Sequence, residues 1–115
     1  MRLRTTPEEY KSLFVDSEAD IQRRILVACC DLGIVAWRTN SGRKGRVLLA
    51  PAGTPDIIGY LPGGRMLGIE VKRPGETMHT SQIEWHARAS AAGVACVCVD
   101  NLRDAIVWLQ KELRR

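Results

Sequence analysis

The hydrophobic pattern divides the chain into stretches of two different periods. Ile21, Ile25, Cys29 and Leu32 recur at the spacing of one helical face. They predict a helix beginning after Ser17, which can cap it. Glu18 and Asp20 would lie in its first turn, where the helix dipole favours acids, and Gly33 suits the stop. A shorter helix is predicted over 7–14, opened by Pro7 behind Thr5 and Thr6 and ahead of Glu8 and Glu9. After Gly33 the helical period is lost, and strands are predicted at 34–38, 47–49, 56–60 and 66–72. A Gly-containing basic loop joins the first two, and the turn Pro62-Gly63-Gly64 joins the last two. A helix over 80–92 follows, capped by Thr80 or Ser81, with Glu84 closing a capping box on Ser81 and Gly93 ending it. Residues 94–99 are apolar throughout, the mark of a central buried strand. Asp100 or Asn101 can cap a last helix that turns Leu102, Ile106, Leu109 and Leu113 inward. The order is α-α-β-β-β-β-α-β-α, an α/β fold with a mixed sheet flanked by helices.

At 115 residues the chain is expected to form one domain, 1–115, able to bury roughly two-thirds of its unfolded surface without a disulfide or metal staple. Hydrophobic residues make up 45% and charged residues 26%, the balance of a globular rather than a disordered protein. No apolar run approaches the ~20 residues needed to cross a bilayer, and MRLRTTPEEY has no signal-like apolar stretch, so a cytoplasmic location is expected. Cys29, Cys30, Cys96 and Cys98 form no CxxC, and His79 and His86 complete no zinc pattern. All four thiols are expected to be reduced and buried as small hydrophobes.

The net charge of +4 says less than its distribution. No Asp or Glu lies between Asp31 and Asp56, a window that holds Arg38, Arg43, Lys44 and Arg46 around Asn40-Ser41-Gly42. Of the 17 basic residues 13 are Arg, whose planar fork matches a phosphate. The window reads either as a solvated loop or as a phosphate-contacting one. Asn40 and Gly42 can present donors to DNA, although Asn-Ser-Gly is also a strong turn sequence.

The chemistry concentrates on Pro55-Asp56 and Glu70-Val71-Lys72. With a hairpin turn centred on Gly63, Asp56 lies opposite Glu70, and directly opposed Cβ atoms are ~4.5–5.5 Å apart. Lys72 projects from the same face as Glu70, while Leu67, Ile69 and Val71 point into the core. Two carboxylates this close repel unless a proton or cation intervenes. Their all-oxygen character suits Mg²⁺ or Mn²⁺, with the Val71 carbonyl as a further ligand. Either half alone is ordinary, since Pro-Asp opens many turns and Glu-x-Lys is a common strand pair.

Together the halves resemble the PD-(D/E)xK nuclease superfamily, whose core is restriction-endonuclease-like. More narrowly, the chain resembles the VRR-NUC (virus-type replication-repair nuclease) family over nearly its whole length. The stretches that carry the likeness are Glu18-Ala19-Asp20-Ile21-Gln22, Trp37-Arg38-Thr39-Asn40-Ser41-Gly42, Gly53-Thr54-Pro55-Asp56, Glu70-Val71-Lys72-Arg73-Pro74-Gly75 and Ser81-Gln82-Ile83-Glu84-Trp85. The resemblance implies that Asp56 and Glu70 ligate the metal with the Val71 carbonyl, that Lys72 is the catalytic lysine, and that Glu18 faces the metal through water. Glu18 would otherwise be an acid interacting with the helix dipole. Gln82 matches a helical glutamine that approaches the active site, or is an ordinary polar residue of a first turn. His86 stands where some relatives have tyrosine, and no role is carried over to it. Arg73 either touches a phosphate or fills a turn.

The expected function is that of a Mg²⁺- or Mn²⁺-dependent DNA endonuclease. Stand-alone members of the family are phage-associated homodimers that act on branched DNA such as four-way junctions, and the resemblance implies the same substrate and assembly here. Leu13 and Phe14 are candidates for the dimer patch. The alternative from another class is a catalytically silent nucleic-acid-binding module, which a missing acid or lysine would mark. A restriction-type or RNA-directed nuclease is a further rival, but the chain leaves no room for a recognition domain.

Overall fold

Ser17 starts the first helix as its side chain implies. Its hydroxyl accepts from Asp20 N–H, and Asp20 returns the bond to the Ser17 backbone. The helix, α1 (Glu18–Asp31), turns Ile21, Ile25 and Cys29 inward and gives way at Gly33, whose φ of +75° a side chain would oppose. The computed structural model describes residues 16–40, 43–44, 47–48 and 50–115. The helix expected over 7–14, with Leu13 and Phe14, lies outside the described residues.

Strand β1 (Val35–Arg38) follows, then the two-residue strands β2 (Arg43–Lys44) and β3 (Val47–Leu48), which pair with each other. The segment read as a plain loop up to residue 46 therefore includes one strand of a small hairpin. Strands β4 (Ile57–Tyr60) and β5 (Met66–Val71) form the main hairpin, α2 (Thr80–Ala91) crosses to β6 (Ala95–Val99), and α3 (Leu102–Leu113) closes the order. The main sheet runs β1-β4-β5-β6; its first three strands are antiparallel and β6 is parallel to β5.

One face of this sheet carries the core. Ile57, Leu67, Ile69 and Val71 point there and meet Ile21, Ile25, Ala105 and Leu109 from α1 and α3, which also pack on each other. Fully burying each large aliphatic side chain stabilises the fold by roughly 1.5–3 kcal/mol relative to exposure. Helix α2 lies on the opposite face. Its Trp85 sits over Gly68, where an added Cβ would come within 3.2 Å of the indole. Arg65, beyond the hairpin turn, bonds the Gly93 carbonyl at 3.0 Å and the nearly buried Glu112 carboxylate at 2.6 Å, tying the turn to both neighbouring helices' connections.

Four expectations are corrected. Strand β6 is the edge of the sheet rather than its centre, because α2 and α3 cover its two faces and make an edge strand as apolar as an interior one. With that, only Cys29 is buried; Cys96 is half-buried, and Cys30 and Cys98 are exposed, all four being free thiols. Helix α2 is capped by His79 rather than Thr80 or Ser81: Gln82, not Glu84, reaches back, its Oε1 accepting from His79 N–H at 2.8 Å. Helix α3 is capped by Asn101, as one of the two alternatives had it, but its inward line centres on Ala105, Leu109 and Glu112, with Ile106 half-buried beside it.

Candidate active site

The hairpin register sets the site. Tyr60 pairs with Met66 and Ile57 with Ile69, and the next step of the same register puts Asp56 beside Glu70, as a turn centred on Gly63 requires. Pro55 is fully buried against Gly68, the position whose missing Cβ also admits Trp85. Thr39 holds the same turn from β1's side: its N–H donates to the Asp56 carbonyl at 3.0 Å and its hydroxyl to the Pro55 carbonyl at 2.8 Å. Asp56 therefore leaves the sheet from a backbone gripped on two sides.

Its carboxylate Oδ2 accepts the Val71 N–H at 2.9 Å, one residue past Glu70. A strand residue sends its N–H and C=O to the same side, so the Val71 carbonyl leaves toward the same edge, beyond the end of β4. Glu70 is 2% exposed. Its Oε1 accepts from Gln82 Nε2 at 3.2 Å and lies 4.0 Å from Lys72 Nζ. Because Gln82 commits its oxygen to the helix cap, its NH₂ group has to face Glu70. The second carboxylate oxygen, Oε2, is buried with no hydrogen-bond partner.

Burial, and after it the neighbouring Asp56 carboxylate, pushes the Glu70 carboxyl up to about 8, against a smaller opposing pull from Lys72. Glu18, in the first turn of α1, is raised in the same direction, first by burial and then by Glu76, while Lys72 opposes. Four acids thus gather around one buried lysine, and Glu76 is the member that sequence reasoning missed. The only signal for it is the turn Arg73-Pro74-Gly75, which folds the chain back so that Glu76 N–H bonds the Arg73 carbonyl at 3.0 Å.

Among the described residues no three acid, histidine or cysteine side chains converge closely enough to hold an ion by themselves. Asp56 and Glu70 form a pair, and Glu18 stands back from it. The pair fits a hard divalent cation: its donors are all oxygen, one is a buried carboxylate oxygen lacking any partner, and a backbone carbonyl leaves toward the same edge.

Of the basic residues expected to meet phosphate, Arg38 stands at the cleft before Asp56, together with Gln22, Thr39 and Asn40. Its guanidinium also bonds the Ala19 carbonyl, strapping β1 to α1. Asn40 adopts the left-handed region at φ +47°. Arg73 is exposed beside Lys72. Arg43 and Lys44 lie on β2, and Arg46 lies outside the described residues. His86 is half-buried on α2, with Nε2 unpartnered and its imidazole biased toward the neutral form by burial.

No family model matches the chain. Among solved structures, a chain titled "VRR_NUC domain" superposes with a TM-score of 0.64 at 23% identity, covering 81% of this chain and 94% of that one. The fold is that of a VRR-NUC domain. The α/β restriction-endonuclease-like core that the five sequence stretches imply is thereby borne out at the level of the fold. A curated relative, "Putative nuclease p44" of Acyrthosiphon pisum secondary endosymbiont phage 1, is 28% identical over 85 residues, which is 73% of this chain and 83% of that protein.

One backbone contact of this VRR-NUC fold lends itself to a direct test. Gly53 has φ +83°, and a Cβ there would lie 2.0 Å from the Ser81 carbonyl oxygen at the start of α2. Gly53→Ala forces the loop that carries Asp56 away from the helix that carries Gln82. The expected cost is about 2 kcal/mol or more, from a strained φ and a backbone clash, with cleavage reduced at least tenfold. Urea unfolding and a cleavage assay check the two halves; a variant that matches wild type in both would contradict this packing.

Proposed function

We propose that the chain is a divalent-metal-dependent DNA endonuclease acting as a single domain over 1–115. The observation that carries this reading is the Asp56–Glu70 pair, with one Glu70 oxygen buried and unpartnered, Gln82 on the other and Lys72 beside it. The fold match and the nuclease-named phage relative support it. Asp56, Glu70 and the Val71 carbonyl would hold the ion, Mg²⁺ or Mn²⁺ by donor type, with Glu18 reaching it through water. When bound, the ion supplies a Lewis acid that activates water and polarises a phosphoryl oxygen.

The chain's own residues do the remainder. Asp56 is held by the Val71 N–H, and Gln82 fixes the orientation of Glu70. Lys72, nearly buried at the end of β5, places its ammonium beside Glu70, where it orients the attacking water and offsets the charge that develops on the phosphate. No acid or lysine of the set is missing, which disfavours a silent binding module.

The substrate we infer is branched DNA such as a four-way junction, cut by a homodimer in the cytoplasm of a bacterial or phage-infected cell. The family resemblance supports that substrate, and one site per protomer favours two protomers for paired incisions. No described helix is long and apolar enough to span a membrane. Incubation with labelled duplex, flap and four-way-junction DNA in Mg²⁺, Mn²⁺ or EDTA tests the reading. Metal-dependent cutting with preference for the junction is expected, together with a dimer by light scattering. Equal cutting of linear and branched DNA by a monomer would reject the substrate and the assembly.

The basic window offers a separate check. Neutralising Arg38, Arg43, Lys44, Arg46 or Arg73 singly should weaken binding to all DNA sequences alike. Each change should lower the slope of log K against log salt by about one. Unchanged slopes in all five variants would return these residues to the role of a solvated surface.

A further inference from the structure

Outside the metal-holding end, the sheet has a second feature with chemical character. Helix α2 covers the outer face over β6 and, through Trp85, over Gly68 of β5, and among the described residues no helix covers the β4–β1 half. The side chains left there are large and apolar: Trp37 is 49% exposed, Tyr60 47%, Val35 47% and Met66 38%. Trp37 pairs with Ile58 and Ile58 with Gly68, so Trp37, Ile58 and Trp85 lie along one line across the sheet. They line a groove of about 360 Å³, with Met66, Pro51 and Thr39 around them. Strands β1 and β5 are two strand spacings apart, ~10 Å, which leaves width for one flat ring above Ile58.

The groove lies on the same sheet face as the Asp56–Glu70 pair, since Ile58 and Gly68 are each two residues from it along β4 and β5. Thr39 lines both the groove and the cleft before Asp56, two residues or ~7 Å along the chain from Trp37. The chain that builds the β1 wall and the rim at Pro51 contains no acid from residue 32 to 55 and carries Arg38, Arg43, Lys44 and Arg46. A flat apolar slot between indoles, with no acid in its lining and opening beside a phosphodiester-cutting centre, suits a polyanion that carries aromatic rings. Resting on the nuclease reading above, we propose that this groove takes the base of an unpaired nucleotide of the DNA strand to be cut, stacked on Trp37 and Trp85. The chain then selects DNA with unstacked nucleotides at the scissile position, as branch points and flaps provide.

The test uses the full chain carrying Lys72→Ala to slow cutting, in Mg²⁺. Its ligands are a single-stranded 12-mer with 2-aminopurine at successive positions and the fully paired duplex of the same sequence. Trp37 is exposed, so Trp37→Leu should fold, which circular dichroism checks. Stacking of a base on an aromatic side chain is worth enough that Trp37→Leu should weaken single-strand binding about tenfold. Duplex binding should change by less than twofold, and Trp37→Phe should restore most of the loss. 2-Aminopurine emission should be quenched at one position by the Trp37 protein and recover in Trp37→Leu. Equal losses on both DNAs, or no loss on the single strand, would overturn the proposal and leave the nuclease reading standing. So would a dimer in light scattering that Trp37→Leu turns into a monomer, since a second copy would then be the occupant. A chain that bound neither DNA, with Lys72 intact neither cutting it, would sink both.

Discussion

In EDTA at pH 8, Glu70→Gln is expected to melt well above the wild-type protein. Glu70 is 2% exposed, faces Asp56 and leaves Oε2 without a partner, so its charged form is disfavoured and its carboxyl is pushed up to about 8. Unfolded, it titrates near its ordinary value of 4.5. Between those two values the native state holds a proton that the unfolded state has lost. Stability of the metal-free protein therefore falls as pH rises from about 4.5 to about 8 and levels off above. Glutamine keeps the shape without the charge, which relieves about 2–4 kcal/mol at pH 8 or above and nothing at pH 4. Added Mg²⁺ or Mn²⁺ should invert the order, because the ion stabilises only the form that binds it. Metal affinity should likewise rise with pH up to about 8, since the ion displaces the proton on Glu70. Melting curves for both proteins at pH 5 and 8, with and without metal, check this. Identical pH dependence would mean that Glu70 carries no buried proton.

Lys72→Ala should separate holding the metal from using it. The ammonium lies 4.0 Å from Glu70 Oε1 and is only 10% exposed, so it acts on the same small volume as the carboxylates without being a cation ligand. Its loss removes a positive charge placed to meet the developing phosphate charge, and cleavage should slow about 10²- to 10³-fold. Metal affinity should stay level or tighten, because a like charge has gone from beside the site. Calorimetric titration of Mn²⁺ alongside single-turnover cleavage distinguishes the two effects. If Lys72→Ala failed to bind Mn²⁺, the lysine would be assembling the site and not acting in it.

The parts of this site that were legible from the sequence are those set by local periodicity and turn chemistry. Ser17 and Asp20 specified the start of α1, and Gly63 specified a register that puts Asp56 beside Glu70. What escaped depends on packing between distant segments. The apolar run 94–99 carries no mark of its neighbours, so its position at the sheet edge and the exposure of Cys98 were not readable from it. Ser81 has the right side chain for a cap, but the chain enters α2 two residues earlier, and only the contact with Glu70 explains why Gln82 turns its oxygen back to His79. Glu76 reaches Glu18 by way of a turn, with no periodicity to announce it. The exposed outer face around Trp37 reads as core in the sequence, because an apolar strand looks the same whether a helix covers it or not.

The most direct measurement is cleavage of one labelled four-way junction by the wild-type chain and by Glu70→Gln, side by side, across a Mg²⁺ series that starts in EDTA. Neither protein is expected to cut in EDTA. With Mg²⁺, the wild type should cut and Glu70→Gln should fall by at least 10³-fold while remaining folded. Cutting by Glu70→Gln at the wild-type rate, or by the wild type in EDTA, would contradict a metal centre at Asp56 and Glu70.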